Sequence, residues 1–359
     1  WRFFIMNYFM SIFFRLIPLL MGAICFSYGI YVTTLGTALG SGYLVAGHVL
    51  ISLTAICIAL YCTAATIIRQ LINRYSSFFK WFLPVLGYAV SLFTVGMGIY
   101  YWNLHTINTA YFVSGNIIFG VGLIACCVTT VATSSTRFLF IPANSNKLQP
   151  GDKPQGAFSE NTAKILIAIP AFCALVGLIR SIVLISAGLS SEYFVAGHVL
   201  FGTSLVCASL IALVASVIRQ IQNTFTDKER WKWTIFVLIL GSINVVLGIG
   251  ILLVQKTPAW IAPGWVLVGL GFICYSISSK VILLASVWRQ TFSLAKRIPL
   301  IPIMTTLFCL FTAAFLFEAE LFNSAFFVPA RVMVGLGAVC FTLYSIVSIL
   351  ESGTSGSSE

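Results

Sequence analysis

One short motif returns five times along the chain, and each copy opens a long apolar run. The copies are YLVAGHVL (Tyr43 to Leu50), YFVSGNII (Tyr111 to Ile118), YFVAGHVL (Tyr193 to Leu200), WIAPGWVL (Trp260 to Leu267) and FFVPARVM (Phe326 to Met333). An internal repeat constrains the architecture before any single residue is interpreted, because each copy should be the same supersecondary unit packed on its neighbours. One further apolar stretch lies before each copy, so every unit supplies two segments of roughly 20 residues or more, the length needed to cross about 30 Å of hydrocarbon.

Composition states the solvent. With 59% hydrophobic residues, 8% charged residues and a mean hydropathy of +1.02, a chain of 359 residues cannot be a water-soluble domain. The expectation is an all-α integral membrane protein of ten transmembrane helices, read as five tandem two-helix units. Continuous apolar runs without a ten-residue in/out alternation argue for helices over barrel strands. Coarse spans are 12–34, 43–68, 82–102, 111–133, 164–187, 193–218, 233–254, 261–287, 299–317 and 326–350. The units occupy 12–74, 75–140, 162–224, 225–291 and 292–351. Between the second and third lies a Pro-, Gly- and Asn-rich link, 141–161, read as a cytoplasmic loop. The first residues, 1–11, and the Gly/Ser-rich tail, 352–359, read as extensions that are at least partly non-native.

Charge orients the spans. Of twenty Lys and Arg, all but Arg180, Lys256, Lys280 and Arg331 lie near the N-terminus or in links between units, which predicts cytoplasmic termini. The formal charge of +11 then pairs with anionic lipid and requires no nucleic acid. Units with two spans each all run in the same direction, and five of them would close into a ring with pseudo-fivefold symmetry. An open solenoid is the alternative arrangement.

Aligned by motif, the units form columns. Tyr43, Tyr111, Tyr193, Trp260 and Phe326 make an aromatic belt at the outer interface. After the motif glycine stand His48, Asn116, His198, Trp265 and Arg331. In a ring these five side chains would converge on the outer mouth, with Glu318 and Glu320 near enough to pair with Arg331. Histidine there would sense mildly acidic surroundings. The plainer reading makes the histidines interfacial hydrogen-bonding residues. Arg180 and Lys280 lie deeper without a carboxylate in their own spans, which points either to an anion or proton path or to snorkelling toward an interface.

Cys57, Cys207, Cys274 and Cys340 form another column, displaced to Cys126 in the second unit. A midplane thiol set for a soft metal is conceivable, but small packing residues explain the column more simply, and no metal or other cofactor is expected. Gly120 and Gly122, Gly202, Gly269 and Gly271, and Gly335 and Gly337 give the even helices small faces for close helix approach. No Walker A, GxSxG, HExxH or CxxC sequence is present, so enzymatic function is not expected.

The repeated YFVAGHVL, with RIPLIP (Arg297 to Pro302) and VGLGAVCFTLYSIVSILE (Val334 to Glu351), resembles the YhiM family of bacterial inner-membrane proteins. That resemblance implies ten spans, a Gram-negative inner membrane and a connection with survival in acid, and it supplies no site residues. The functional expectation is a channel or transporter for a small ion or solute, responsive to pH. Its rival is a non-transporting scaffold or stress sensor that engages a cytoplasmic partner or lipid. A hydrated axial path would favour the first, and a dry axis the second.

Overall fold

The structure, a computed structural model, describes residues 2–71, 75–137, 158–188, 191–255, 257–288 and 298–355. Most of the link 141–161, the link cations Arg74, Lys147, Lys153, Arg289, Lys296 and Arg297, and the end of the tail lie outside these residues.

Ten long helices carry the chain: α1 (Arg2–Leu39), α2 (Ser41–Leu71), α3 (Ser77–Asn103), α4 (Thr109–Ser134), α5 (Glu160–Ser186), α6 (Ser191–Ile221), α7 (Asp227–Val254), α8 (Ile261–Trp288), α9 (Leu300–Glu320) and α10 (Phe327–Ser355). All ten are long and apolar enough to cross a membrane, and no strand occurs among the described residues. The first helix begins at Arg2 and the last reaches Ser355, so both continue into segments that sequence alone reads as extensions.

Local chemistry sets the reversals. Gly40 and Gly188 adopt φ of 130° and 136° after α1 and α5, a conformation that a side chain would strain. Asn108 caps α4 by accepting from the Ala110 backbone N–H at 2.9 Å, and Asn323 does the same for the turn before α10 through Ala325 at 3.0 Å.

Packing separates the helices into two layers. Each odd helix packs on the even helix that follows it, and the even helices contact one another in cyclic order: α2 with α4, α4 with α6, α6 with α8, α8 with α10, and α10 with α2. Burial follows the same division. The most apolar windows of the odd helices are 28–33% buried and those of the even helices 67–89%. The odd helices thus present residues such as Phe93, Phe172, Val246 and Phe311 outward, as a lipid-facing surface requires.

Glycine explains why the inner layer packs closely, since association in lipid depends on van der Waals fit. A Cβ on Gly202 would meet Leu267 and Leu270 of α8, one on Gly269 would meet Met333 and Leu336 of α10, and one on Gly335 would meet Leu50 and Leu53 of α2. The helices α6, α8 and α10 therefore each receive the leucine ridge of the next inner helix. Gly122, Gly271 and Gly337 instead face the outer helix of their own hairpin. The motif glycines do so too: a Cβ on Gly115 would lie 2.4 Å from the Trp102 backbone nitrogen.

Candidate functional site

The aliphatic positions of the repeat motif decide what the five inner helices enclose. Its third and seventh residues are one helical turn apart and so share a face. In the five copies they are Val45 and Val49, Val113 and Ile117, Val195 and Val199, Ala262 and Val266, and Val328 and Val332. All of them line a space between the inner helices. Continuing that face along each helix gives Ile56, Ile124, Val206, Ile273 and Val339, and then Leu60, Val128, Leu210, Ile277 and Leu343. The next position holds Thr63, Val131, Leu213 and Ile346, and on α8 it holds Lys280.

Four spaces follow one another along this face. At the N-terminal ends of the inner helices is an open vestibule of about 530 Å³, with Ser41, Thr109, Ser191, Glu192, Asn323 and Ser324 among its walls. Beneath it the valine positions narrow the space to about 30 Å³, with a wholly aliphatic lining. Further along are two cavities of about 20 Å³ each, which share Thr63, Val131, Leu213 and Lys280. Such volumes admit roughly one water, and an aliphatic wall offers that water no bond, so the neck is dry.

Lys280 is 4% exposed. No hydrogen bond or ion pair joins it to any described residue. It is also the one charged residue among the described walls below the vestibule. A charge buried in hydrocarbon is costly unless paired or hydrated, which makes the position a functional pointer.

The residues that the ionisable column singles out lie elsewhere. His48 stacks on Tyr101 of α3 and Tyr111 of α4, with ring centroids at 4.7 and 5.9 Å, and its Nδ1 is buried without a partner. Asn116 is fully buried and donates to the Phe112 carbonyl at 2.8 Å. His198 places Nδ1 2.8 Å from the Phe194 carbonyl and packs on the Phe194 ring. Trp265 packs against Phe315 of α9. Arg331 pairs with Glu320, donates to the Phe327 carbonyl at 3.0 Å and stacks over the Phe327 ring at 3.4 Å. Glu318 is exposed and makes no ion pair among the described residues.

None of the five column residues lines the vestibule or the neck, so they do not meet at a mouth. The reason is rotational. The sixth motif position lies about 100° from the seventh and about 300° from the third, which turns it away from the enclosed space when the valines face inward, and for His48, Asn116 and Trp265 the side chain meets the following hairpin.

The two deep cations have separate fates. Arg180 sits on the outer helix α5, where its Nε donates to Asn116 Oδ1 at 3.1 Å and its guanidinium lies 4.6 Å from the Trp102 ring centroid. It ties three helices together and touches none of the enclosed spaces. Lys280 lines two of them.

The cysteine column also lies off the enclosed space, mostly toward outer helices. Cys57 meets Cys25 of α1, Cys126 meets Cys173 of α5, Cys340 meets Cys309 of α9, and Cys207 adjoins Cys127. Cys274 faces Asn244 of α7, whose Nδ2 is 4.0 Å from its sulfur. Every cysteine is a free thiol. The described residues hold no group of three or more His, Cys, Asp or Glu placed to share a metal ion.

Sequence reasoning passed over the valine faces because an aliphatic residue in a membrane span carries no apparent information. A signal was nevertheless present. The third and seventh motif positions are aliphatic in all five copies, more uniform than the ionisable column, and Lys280 stands at the same distance from its motif as Thr63, Val131, Leu213 and Ile346.

A family model described as "Protein of unknown function (DUF2776)" matches residues 6–355. The chain is 50% identical over 352 residues to a protein named Inner membrane protein YhiM from Escherichia coli (strain K12), an alignment covering 97% of this chain and 99% of that relative. No solved structure matches. The chain belongs to the DUF2776 family, and with its ten apolar helices it is a multi-pass inner-membrane protein.

Proposed function

We propose that this member of the DUF2776 family is an inner-membrane channel or transporter for a small ion or solute, built from five tandem hairpins as a pseudo-fivefold ring, with both termini cytoplasmic. The observation that carries the reading is the succession of vestibule, valine neck and Lys280-bearing cavity on one face of five helices. A hydrophobic constriction conducts when it wets and blocks when it dries, so an aliphatic neck suits a closed gate. A purely structural axis has no need of a buried lysine beyond a vestibule whose walls include Ser, Thr, Asn and Glu side chains. The neck, and not the histidine column, is then the barrier. The reading assigns no catalysis.

A response to pH would act at one remove. His48 stacks on rings of α3 and α4, and His198 packs on the Phe194 ring of its own helix. Histidine charges between about pH 7 and pH 5, and a new charge at these contacts would shift inner helices against outer ones. A scaffold or stress sensor that engages lipid or a cytoplasmic partner is the second reading, and the dryness of the neck is what favours it.

Flux of potassium and chloride into proteoliposomes separates the two. The parent is compared with a triple variant, Val49→Ser, Val199→Ser and Val332→Ser, which hydrates the neck. A channel gives flux that rises about tenfold or more in the triple variant, as wetting of a hydrophobic gate requires. A scaffold gives none above empty liposomes in either protein.

A further inference from the structure

We infer that the species accommodated on this axis is a small monovalent anion and that Lys280 is the group that binds it. The inference rests on the channel reading and adds the substrate class.

Four other described cations have partners, while Arg15 Nε and Arg69 Nε are buried without a hydrogen bond. Arg331 has Glu320, Arg219 has Glu229, Arg180 has Asn116 and Trp102, and Arg69 lies over the Phe79 ring at 3.4 Å. Lys280 is more buried than any of these and has none among the described residues, while the walls around it are Thr63, Ser135 and aliphatic side chains. An ammonium in such a place is stabilised by what enters the cavity, and an anion is the entrant of the right sign. The lysine hydrocarbon stem accounts for its fit in an aliphatic column, and its amine holds a proton there only with an anion beside it.

A second feature points the same way. The vestibule walls include Ser41, Thr109, Ser191, Pro258 and Ser324, each at or beside the start of an inner helix. Five helix N-termini therefore converge there, each with a partial positive charge of about half an elementary unit, although Asn108 and Asn323 already accept from the N–H groups of Ala110 and Ala325. Glu192 is the one carboxylate among the described vestibule walls and opposes this field.

Size and hydration narrow the class. Cavities of about 20 and 30 Å³ between aliphatic walls exclude bulky or multiply charged anions, whose dehydration in such a neck is too costly. A halide or nitrate meets these limits.

The decisive measurement is the zero-current potential across bilayers holding asymmetric potassium chloride. It is made on the neck triple variant alone and on that variant combined with Lys280→Met or Lys280→Glu. Methionine keeps the volume of the column without the charge, so Lys280→Met should fold at least as well as the parent, which thermal unfolding in detergent checks.

The expected result is chloride preference in the triple variant, reduced about tenfold by Lys280→Met and reversed toward potassium by Lys280→Glu. Potassium preference in the triple variant, or chloride preference untouched by either substitution, would overturn the inference and leave the channel reading standing. Absence of any current in a folded triple variant would remove the channel reading and the inference with it.

Discussion

The inner helices have two polar regimes, one on each side. Toward the outer helices, several polar and charged side chains are engaged, while His48 Nδ1, Arg69 Nε and Asn244 Oδ1 are buried without a hydrogen-bond partner. Arg331 has Glu320, Asn116 accepts from Arg180, Ser276 and Thr305 lie 2.6 Å apart, and the Tyr88 and Thr130 hydroxyls lie 3.0 Å apart. Toward the enclosed axis the wall is aliphatic, and its one deep charge, Lys280, is unengaged by the described residues. The contrast teaches how to weigh polar groups in a membrane fold. One that is paired is accounted for by helix association, whereas one that is unpaired needs a further explanation, because its burial is costly.

Four variants sharpen the comparison. The largest effect belongs to the hairpin side. Gly115→Val would drive a branched side chain into the α3 backbone, where even a Cβ lies 2.4 Å from the Trp102 nitrogen and 2.9 Å from its Cα. Backbone cannot yield as a side-chain tip does, so a loss of about 3 kcal/mol or more is expected. A marked fall in the thermal midpoint in detergent would show it, and an unchanged midpoint would refute the close-contact account.

Next come the two charges, with opposite signs. Glu320→Ala leaves the partly buried Arg331 without its carboxylate and should cost about 2 kcal/mol, a value discounted for the residual exposure of both groups. Lys280→Met removes a buried charge with no described partner and should stabilise by about 1 kcal/mol. Equal destabilisation by both would erase the distinction between the two sides.

Smallest is the histidine pair. His48→Gln with His198→Gln should alter stability by less than about 0.5 kcal/mol. It should also abolish any difference in flux between pH 7 and pH 5, the interval in which histidine charges. A flux that keeps its pH dependence in the double variant would exclude the histidines as the sensor.

Much of this was legible in the chain. The motif and the apolar runs gave ten helices with bounds within several residues for most, because a hydrocarbon core demands both length and continuous hydrophobicity. Arg180 and Lys280 stood out for the same reason. Their fates were not readable, because one polar residue in a span looks like another until its neighbours are known. Ionisable side chains drew attention to His48, Asn116, His198, Trp265 and Arg331, yet Val49, Val199 and Val332 form the neck. In a soluble helix the polar face marks the outside. A helix between lipid and protein is apolar on both sides, so composition does not reveal how it is rotated.

Sequence by itself determined the membrane solvent, the ten spans, the recurrence of the hairpin motif and the small residues that let inner helices approach. These follow from local length, period and size, which each segment carries alone. Tertiary structure alone decided which helices lie inside, which face of each looks on the enclosed space, that Arg180 is tied while no described residue ties Lys280, and that valine, not histidine, lines the neck. Those outcomes depend on how each helix is turned about its own axis, and that angle is set by contacts with neighbours distant in the chain.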